Sequence, residues 1–359
     1  MCLRYTNVTK KSLIEGYLRL GKGYLWAYAI ITIISVFTIL AALYIVTAGL
    51  FINLFKIEFL SLSLIAALLF AFISSLLIIG KYRFLEDSLK LVVTVLFIAL
   101  VVTTIVVFFK GQVTPDPTHI PTPIFNETGI LFLIGLMGWM PTAVEASGWV
   151  SLWSIEKQKS HKKYTVNGAI AEFNLGYVLT GILAIFFLII GCMTLYGTNT
   201  QLSGNAVVFA DQVVTLFTAH IGEWSYFIIA IAAFATMFST CITAHDAVSR
   251  VSVDVLQKLY PSQQLLKKQS IFAVIVILLA VVNWIVIHSF SANMSNLVAL
   301  ATFASFVMAP LIGWMNLKVV TGGDVEKRYH PNKGMRFLTY FGMVFLSLFS
   351  IYYCWQVIF

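Results

Sequence analysis

Charge is what this chain has least of. Lys, Arg, Asp and Glu make up 11 % of its 359 residues, against 60 % hydrophobic, whereas a soluble domain carries roughly 25 % charged residues. Residues 23–55, 59–80, 91–109, 224–244 and 337–359 hold no charged side chain at all. A helix crossing the hydrocarbon core of a bilayer needs about 20 apolar residues, and runs of this length exclude a soluble fold. Cysteine is equally uninformative as chemistry. Cys2, Cys192, Cys241 and Cys354 lie far apart with no CxxC or Cys/His spacing, so they read as small apolar side chains. Gly-rich phosphate loops, HExxH and GxSxG are missing too, which leaves no enzyme motif and no bound cofactor to expect. Residues 1–22 lack the apolar stretch of a signal peptide.

What is present is a series of membrane spans. Nine crossings are expected, at 24–52, 58–80, 90–109, 128–155, 168–195, 222–250, 269–288, 295–317 and 336–358. The loop at 197–221 is expected to hold a short surface helix around Ala206–His220. With the N-terminus in the cytoplasm, segments 1–23, 81–90, 156–167, 250–268 and 318–336 face inward and carry 21 of the 23 basic residues. The external loops hold only Lys56 and Lys110. That asymmetry follows the positive-inside rule and places the C-terminus outside a plasma (inner) membrane. The net charge of +8 therefore belongs to the cytoplasmic membrane face and implies no nucleic-acid partner. The organisation is a cytoplasmic N-terminal segment, 1–23, and a single transmembrane domain, 24–359.

One span carries its own interruption. Segment 128–155 contains Gly138-Trp139-Met140-Pro141 in mid-membrane. Pro141 offers no N–H to the Met137 carbonyl four residues earlier, and its ring pushes that carbonyl away. Gly135 and Gly138 loosen the same turn. Unwound backbone persists in a membrane only where protein or a wet cavity satisfies it, and secondary transporters place ions and substrates at such breaks. The groups offered here suit a metal ion: the Met137 carbonyl, the soft thioether of Met140, the Thr142 hydroxyl and the Glu145 carboxylate. An intramembrane acid is by default a functional hypothesis; the competing reading for Glu145 is a structural pair with a polar neighbour.

A second polar stripe runs along 222–250. Thr236, Ser239, Thr240, Thr243, Asp246 and Arg250 share one helical face. Small hydroxyl residues at this spacing also serve close helix packing, which is the plainer reading for Ser239 and Thr243. His245 and Asp246 are candidates for a proton or ion pathway, and Asp246 is equally placed to pair with Arg250 at i+4. Glu172 and Asn174 open span 168–195, the one after the basic loop 156–167, and are candidates to face the same cavity.

The run GLMGWMPTAVEASGWVSLW around Met140-Pro141, followed by a basic loop, resembles the sixth helix of the natural resistance-associated macrophage protein (Nramp) family of divalent-metal transporters. The stripe from Thr236 to Thr243 is similar to that family's eighth helix. The resemblance implies an all-α inverted-repeat transporter fold of the LeuT-like kind. It assigns ion contacts to Met140 and the Met137 carbonyl, and a Mn- or Fe-type ion as substrate, with protons as the expected co-substrate. The chain departs from the family in having Thr142 and Ala143 where histidine and asparagine follow the proline. It also lacks an Asp-Pro-Gly-Asn motif. Aligned on the spans, 24–52 matches the family's third helix, so two helices are expected to be missing in front. The competing readings are an amino-acid or other organic permease of the same architecture, or a truncated non-transporting relative. Partners are the metal ion and the lipid bilayer; oligomeric state is not encoded in any motif.

Overall fold

A backbone in hydrocarbon must satisfy its amides within each segment, and helices do so. The computed structural model describes residues 1–57, 59–80, 83–114, 116–120, 123, 125–160, 165–198, 200–268, 270–290 and 293–358, and no strand occurs among them. Two short helices, α1 (Cys2–Thr9) and α2 (Leu13–Leu20), precede α3 (Lys22–Phe55), α4 (Leu62–Ile79) and α5 (Arg83–Lys110). Then come α6 (Glu127–Trp139), α7 (Ser147–Ser160), α8 (Val166–Thr194) and α9 (Ala206–Ile221). The chain ends with α10 (Tyr226–Leu259), α11 (Ser270–Phe290), α12 (Met294–Val320) and α13 (Lys333–Ile358). Among the described residues, α3, α4, α8, α10, α11, α12 and α13 are long and apolar enough to cross a membrane. The expected span 90–109 falls within α5, and the expected span 128–155 falls on α6, a 3-10 turn at Val144–Ala146, and α7.

Helix α3 is the centre of the molecule, packed against α2, α4, α9, α10, α11 and α12. Its small residues explain how so many helices reach it. Ala41, Ala42, Ala48 and Gly49 present little bulk, and small residues let backbones approach closely in the absence of a hydrophobic drive between helices. Gly49 is the extreme case, because a Cβ there would run into the backbone of Ala206 at the start of α9. The main core gathers buried residues of α3, α4, α10, α11 and α12. In contrast, α8 and α13 leave most of their apolar surface uncovered, as suits helices facing lipid.

The N-terminal segment is more ordered than the polar composition of 1–23 suggests. Lys10 in a left-handed conformation closes α1, and Ser12 caps α2 by accepting from the Glu15 N–H. Ser12 and Glu15 have the spacing of a capping box. Both helices are amphipathic, and Tyr5, Leu13, Ile14 and Tyr17 are fully buried against α3, α10 and α12. A period-3.6 apolar stripe in a polar segment marks a helix lying on a core rather than a loop.

Candidate functional site

The interrupted span is a real break. Asn126 caps α6 by accepting from the Gly129 N–H at 2.8 Å. The helix ends at Trp139, and Met140 is extended with φ −105° and ψ 121°. Helix resumes only after the Val144–Ala146 turn. The C-terminal end of α6 thus turns its carbonyls toward the break, while α7 begins just beyond it. Helix dipoles put partial negative charge at the first end and partial positive charge at the second. A cation is favoured by the α6 carbonyls, and a carboxylate by the start of α7.

Glu145 is that carboxylate, and it is 3 % exposed. Its Oε1 accepts two hydrogen bonds, from Ser35 of α3 at 3.0 Å and from Ser305 of α12 at 2.6 Å. Ser305 in turn accepts from the Trp139 indole N–H at 3.0 Å, so its single hydroxyl proton is committed to Glu145. Tyr28 donates to the Glu145 backbone carbonyl at 3.3 Å. Oε2 is buried and has no hydrogen-bond partner, and no ion pair reaches Glu145 among the described residues. A buried carboxylate without a countercharge is costly.

The start of α7 is locked from behind. Asn316 donates to Ser147 at 3.1 Å and accepts from Tyr17 at 2.7 Å. Gly148 lies so close to the Tyr28 hydroxyl that a Cβ would collide with it. Ser151 donates to the Gly148 carbonyl at 2.7 Å and accepts from the Leu13 N–H at 3.1 Å. Asn7 bonds Ser154 at 3.0 Å and accepts from Gln158 at 3.0 Å. Helices α1 and α2 therefore hold α7 along its length.

The glycines upstream of the break also serve close packing. A Cβ on Gly138 would overlap the carbonyl oxygen of Thr302, and one on Gly135 would sit 3.5 Å from the Thr302 hydroxyl. They form a notch that brings α12 against α6. Met137 is half-buried beside Ile130, Ile134 and Phe306, whereas Met140 is 41 % exposed. Thr142 is exposed. The hydrogen-bond partners of Glu145 therefore come from α3 and α12, with Trp139 of α6 reaching it only through Ser305.

The other candidates divide. Asp246 is buried and accepts from Arg250 at 2.7 Å, so the i+4 pair forms, with its Oδ1 unpartnered. His245 is fully buried, its Nδ1 2.9 Å from the Tyr44 hydroxyl and its Nε2 3.1 Å from the Val276 carbonyl. Only Nε2–H satisfies a carbonyl, so Nδ1 accepts from Tyr44, and the ring serves as a tie between α3, α10 and α11. Thr243 is exposed, and its hydroxyl turns back to the Ser239 and Thr240 carbonyls. Glu172 and Asn174 lie on the exposed face of α8, and Glu172 pairs with Lys157 at 2.6 Å. They do not join Glu145, because α8 packs on α5 and α1. Sequence reading missed Ser35, Ser305 and Tyr28, and gave Trp139 no role beyond its place in the break. The signal of the two serines was a hydroxyl within a membrane span, which packing serines and threonines share.

Among the described residues no group of three His, Cys, Asp or Glu side chains comes together. Any ion held at the break would rest on carbonyls, hydroxyls, a thioether and one carboxylate. The family model described as natural resistance-associated macrophage protein-like matches residues 1–356. An uncharacterized protein of Pasteurella multocida (strain Pm70) is 28 % identical over 357 residues, which cover 99 % of this chain and 80 % of that relative. An all-helical chain with membrane-length helices around an interrupted one, matched end to end in this way, belongs to the Nramp family.

Proposed function

We propose that this protein carries a divalent transition-metal ion of the Mn or Fe type across the inner membrane, and that the ion passes through the break between α6 and α7. Family membership implies divalent metal-ion transport. The observation that supports the location is Glu145, a buried carboxylate with one oxygen held by two serines and the other unpartnered. The Met137 carbonyl, left without a donor by Pro141, and the Met140 thioether supply hard and soft neutral ligands. The soft donor favours Mn²⁺ or Fe²⁺ over Ca²⁺ and Mg²⁺. Glu145 supplies the negative charge, and protons are the proposed co-substrate, since Oε2 is open to either cation. The crowding of basic residues in alternate loops supports nine crossings with the N-terminus inside and the C-terminus outside.

Uptake of Mn²⁺ into liposomes containing the purified protein tests the reading. Wild-type protein is expected to accumulate the ion, and Glu145→Gln to lose at least about tenfold of the rate, as removal of a buried charge that has no ion-pair partner demands. Wild-type liposomes that take up neither Mn²⁺ nor Fe²⁺ would refute transport. Full activity in Glu145→Gln would remove Glu145 from the path.

A further inference from the structure

A large cavity of about 1050 Å³ opens at the end of the molecule where α1, α2, the last turn of α4, α7, α10 and the start of α11 meet. Its volume is at the upper end of the about 300–1,000 Å³ usual for small-molecule sites. The charges on its wall are unequal. Glu156 pairs with Lys159 at 2.7 Å, Asp254 pairs with Lys258, and Glu15 pairs with Arg19 at 3.5 Å and faces Lys258 at 3.9 Å. Arg250 is bound to Asp246 and lies over the Phe272 ring. The acids on the wall are thereby matched, and Lys10, Lys11 and Lys268 are left over, without an ion-pair partner among the described residues. One edge of the same cavity is apolar and open to the outside of the bundle. Ile78 and Ile79, at the end of α4, line it and are exposed.

We propose that this cavity binds the phosphate of an anionic glycerophospholipid of the cytoplasmic leaflet, with Lys10, Lys11 and Lys268 around the headgroup and an acyl chain along Ile78 and Ile79. Three unpaired ammonium groups beside a matched set of ion pairs select an anion. The apolar edge selects one that carries hydrocarbon, for which a free phosphate ion has no use. Basic pockets between membrane helices at the cytoplasmic face bind lipid headgroups in this manner, and the distribution of Lys and Arg places this end of the molecule in the cytoplasm. The bound lipid would touch α2, α4, α7 and α10 together, tying the inner half of the interrupted helix to its neighbours. The inference does not depend on the identity of the transported ion.

Thermal unfolding of the purified full chain in a neutral detergent tests it, with phosphatidylglycerol, phosphatidylcholine or inorganic phosphate added separately. Phosphatidylglycerol is expected to raise the midpoint, and the other two to leave it unmoved. The Lys10→Gln/Lys11→Gln/Lys268→Gln variant is expected to need at least about tenfold more phosphatidylglycerol for the same rise, since each basic group near anionic lipid contributes substantially. Each single variant gives part of that loss, so the test survives a poorly folded triple variant. Lys110→Gln, at the other end of the molecule, is expected to respond as wild type. Equal shifts with the two lipids, a shift with inorganic phosphate alone, or an undiminished response in the lysine variants would overturn the proposal.

Discussion

Ser305 of α12 donates a 2.6 Å hydrogen bond to Glu145 while accepting one from Trp139 at 3.0 Å. One hydroxyl thus joins the last residue of α6 to the turn that leads into α7, from a third helix. The break is spanned by a side-chain bridge where its backbone ladder is interrupted, and Ser35 of α3 completes the bridge from the other side.

Removing that bridge should loosen the site without removing the charge. Ser305→Ala is expected to destabilise the protein by about 1.5–3 kcal/mol, the range for hydrogen bonds to charged groups, and Ser35→Ala by a similar amount. Thermal unfolding in detergent measures both. The double variant should cost less or more than the sum, because the two hydroxyls share Oε1. Strict additivity would show that they act on separate groups.

Met140 controls selectivity in the proposed mechanism, while Glu145 supplies charge. Met140→Ala is therefore expected to keep measurable uptake and to lose discrimination between Mn²⁺ and Ca²⁺, because only the soft donor separates the two ions. Competition of Ca²⁺ against Mn²⁺ uptake in liposomes reads this directly. Unchanged competition would exclude the thioether from the site.

Gly135 and Gly138 of α6 should respond differently to the same methyl group. Gly138→Ala forces a Cβ into the Thr302 carbonyl, a backbone atom that cannot swing aside. Overpacking of this kind costs about 1–3 kcal/mol. Gly135→Ala meets the Thr302 hydroxyl at an ordinary 3.5 Å and should be neutral or slightly stabilising, since alanine favours helix over glycine. Comparing the two unfolding midpoints decides whether the notch or a loose turn is what these positions provide.

Cys2 reports on the N-terminal helices. Burial pushes its thiol above the ordinary cysteine value, and the thiolate is the reactive form. With Cys192, Cys241 and Cys354 replaced by serine, Cys2 should react slowly with maleimide at neutral pH, and its rate should climb only at a pH above that for free cysteine. Ser151→Ala, which leaves the Leu13 N–H without its acceptor, should loosen α2 and speed the labelling. Fast labelling of Cys2 in that background without the Ser151 substitution would mean that α1 is not docked on α7.

The positions of the membrane helices were legible because apolar runs of this length have no other stable use. Seven expected spans coincide with membrane-length helices, and the short helix in the 197–221 loop forms at Ala206–Ile221. The break was legible for a local reason, since Pro141 disrupts the ladder whatever surrounds it. The order of residues 1–23 was not, because two eight-residue helices are marginal alone and exist through burial of Leu13, Ile14 and Tyr17. Pro310 in α12 passed unnoticed, and that helix continues through it.

By itself, then, the chain's sequence determined that it lives in a membrane, which way its basic loops favour facing, and where one helix must come apart. These properties follow from composition and from the covalent chemistry of proline. Which way Glu145 turns was decided only by tertiary structure, because Ser35 and Ser305 lie 110 and 160 residues away from it. The same holds for Thr243 on its polar stripe and for Glu172 and Asn174 at the opening of their span, since neither place says which neighbour, if any, covers a side chain. A helical face is set by local periodicity, but its partner is set by packing between distant segments.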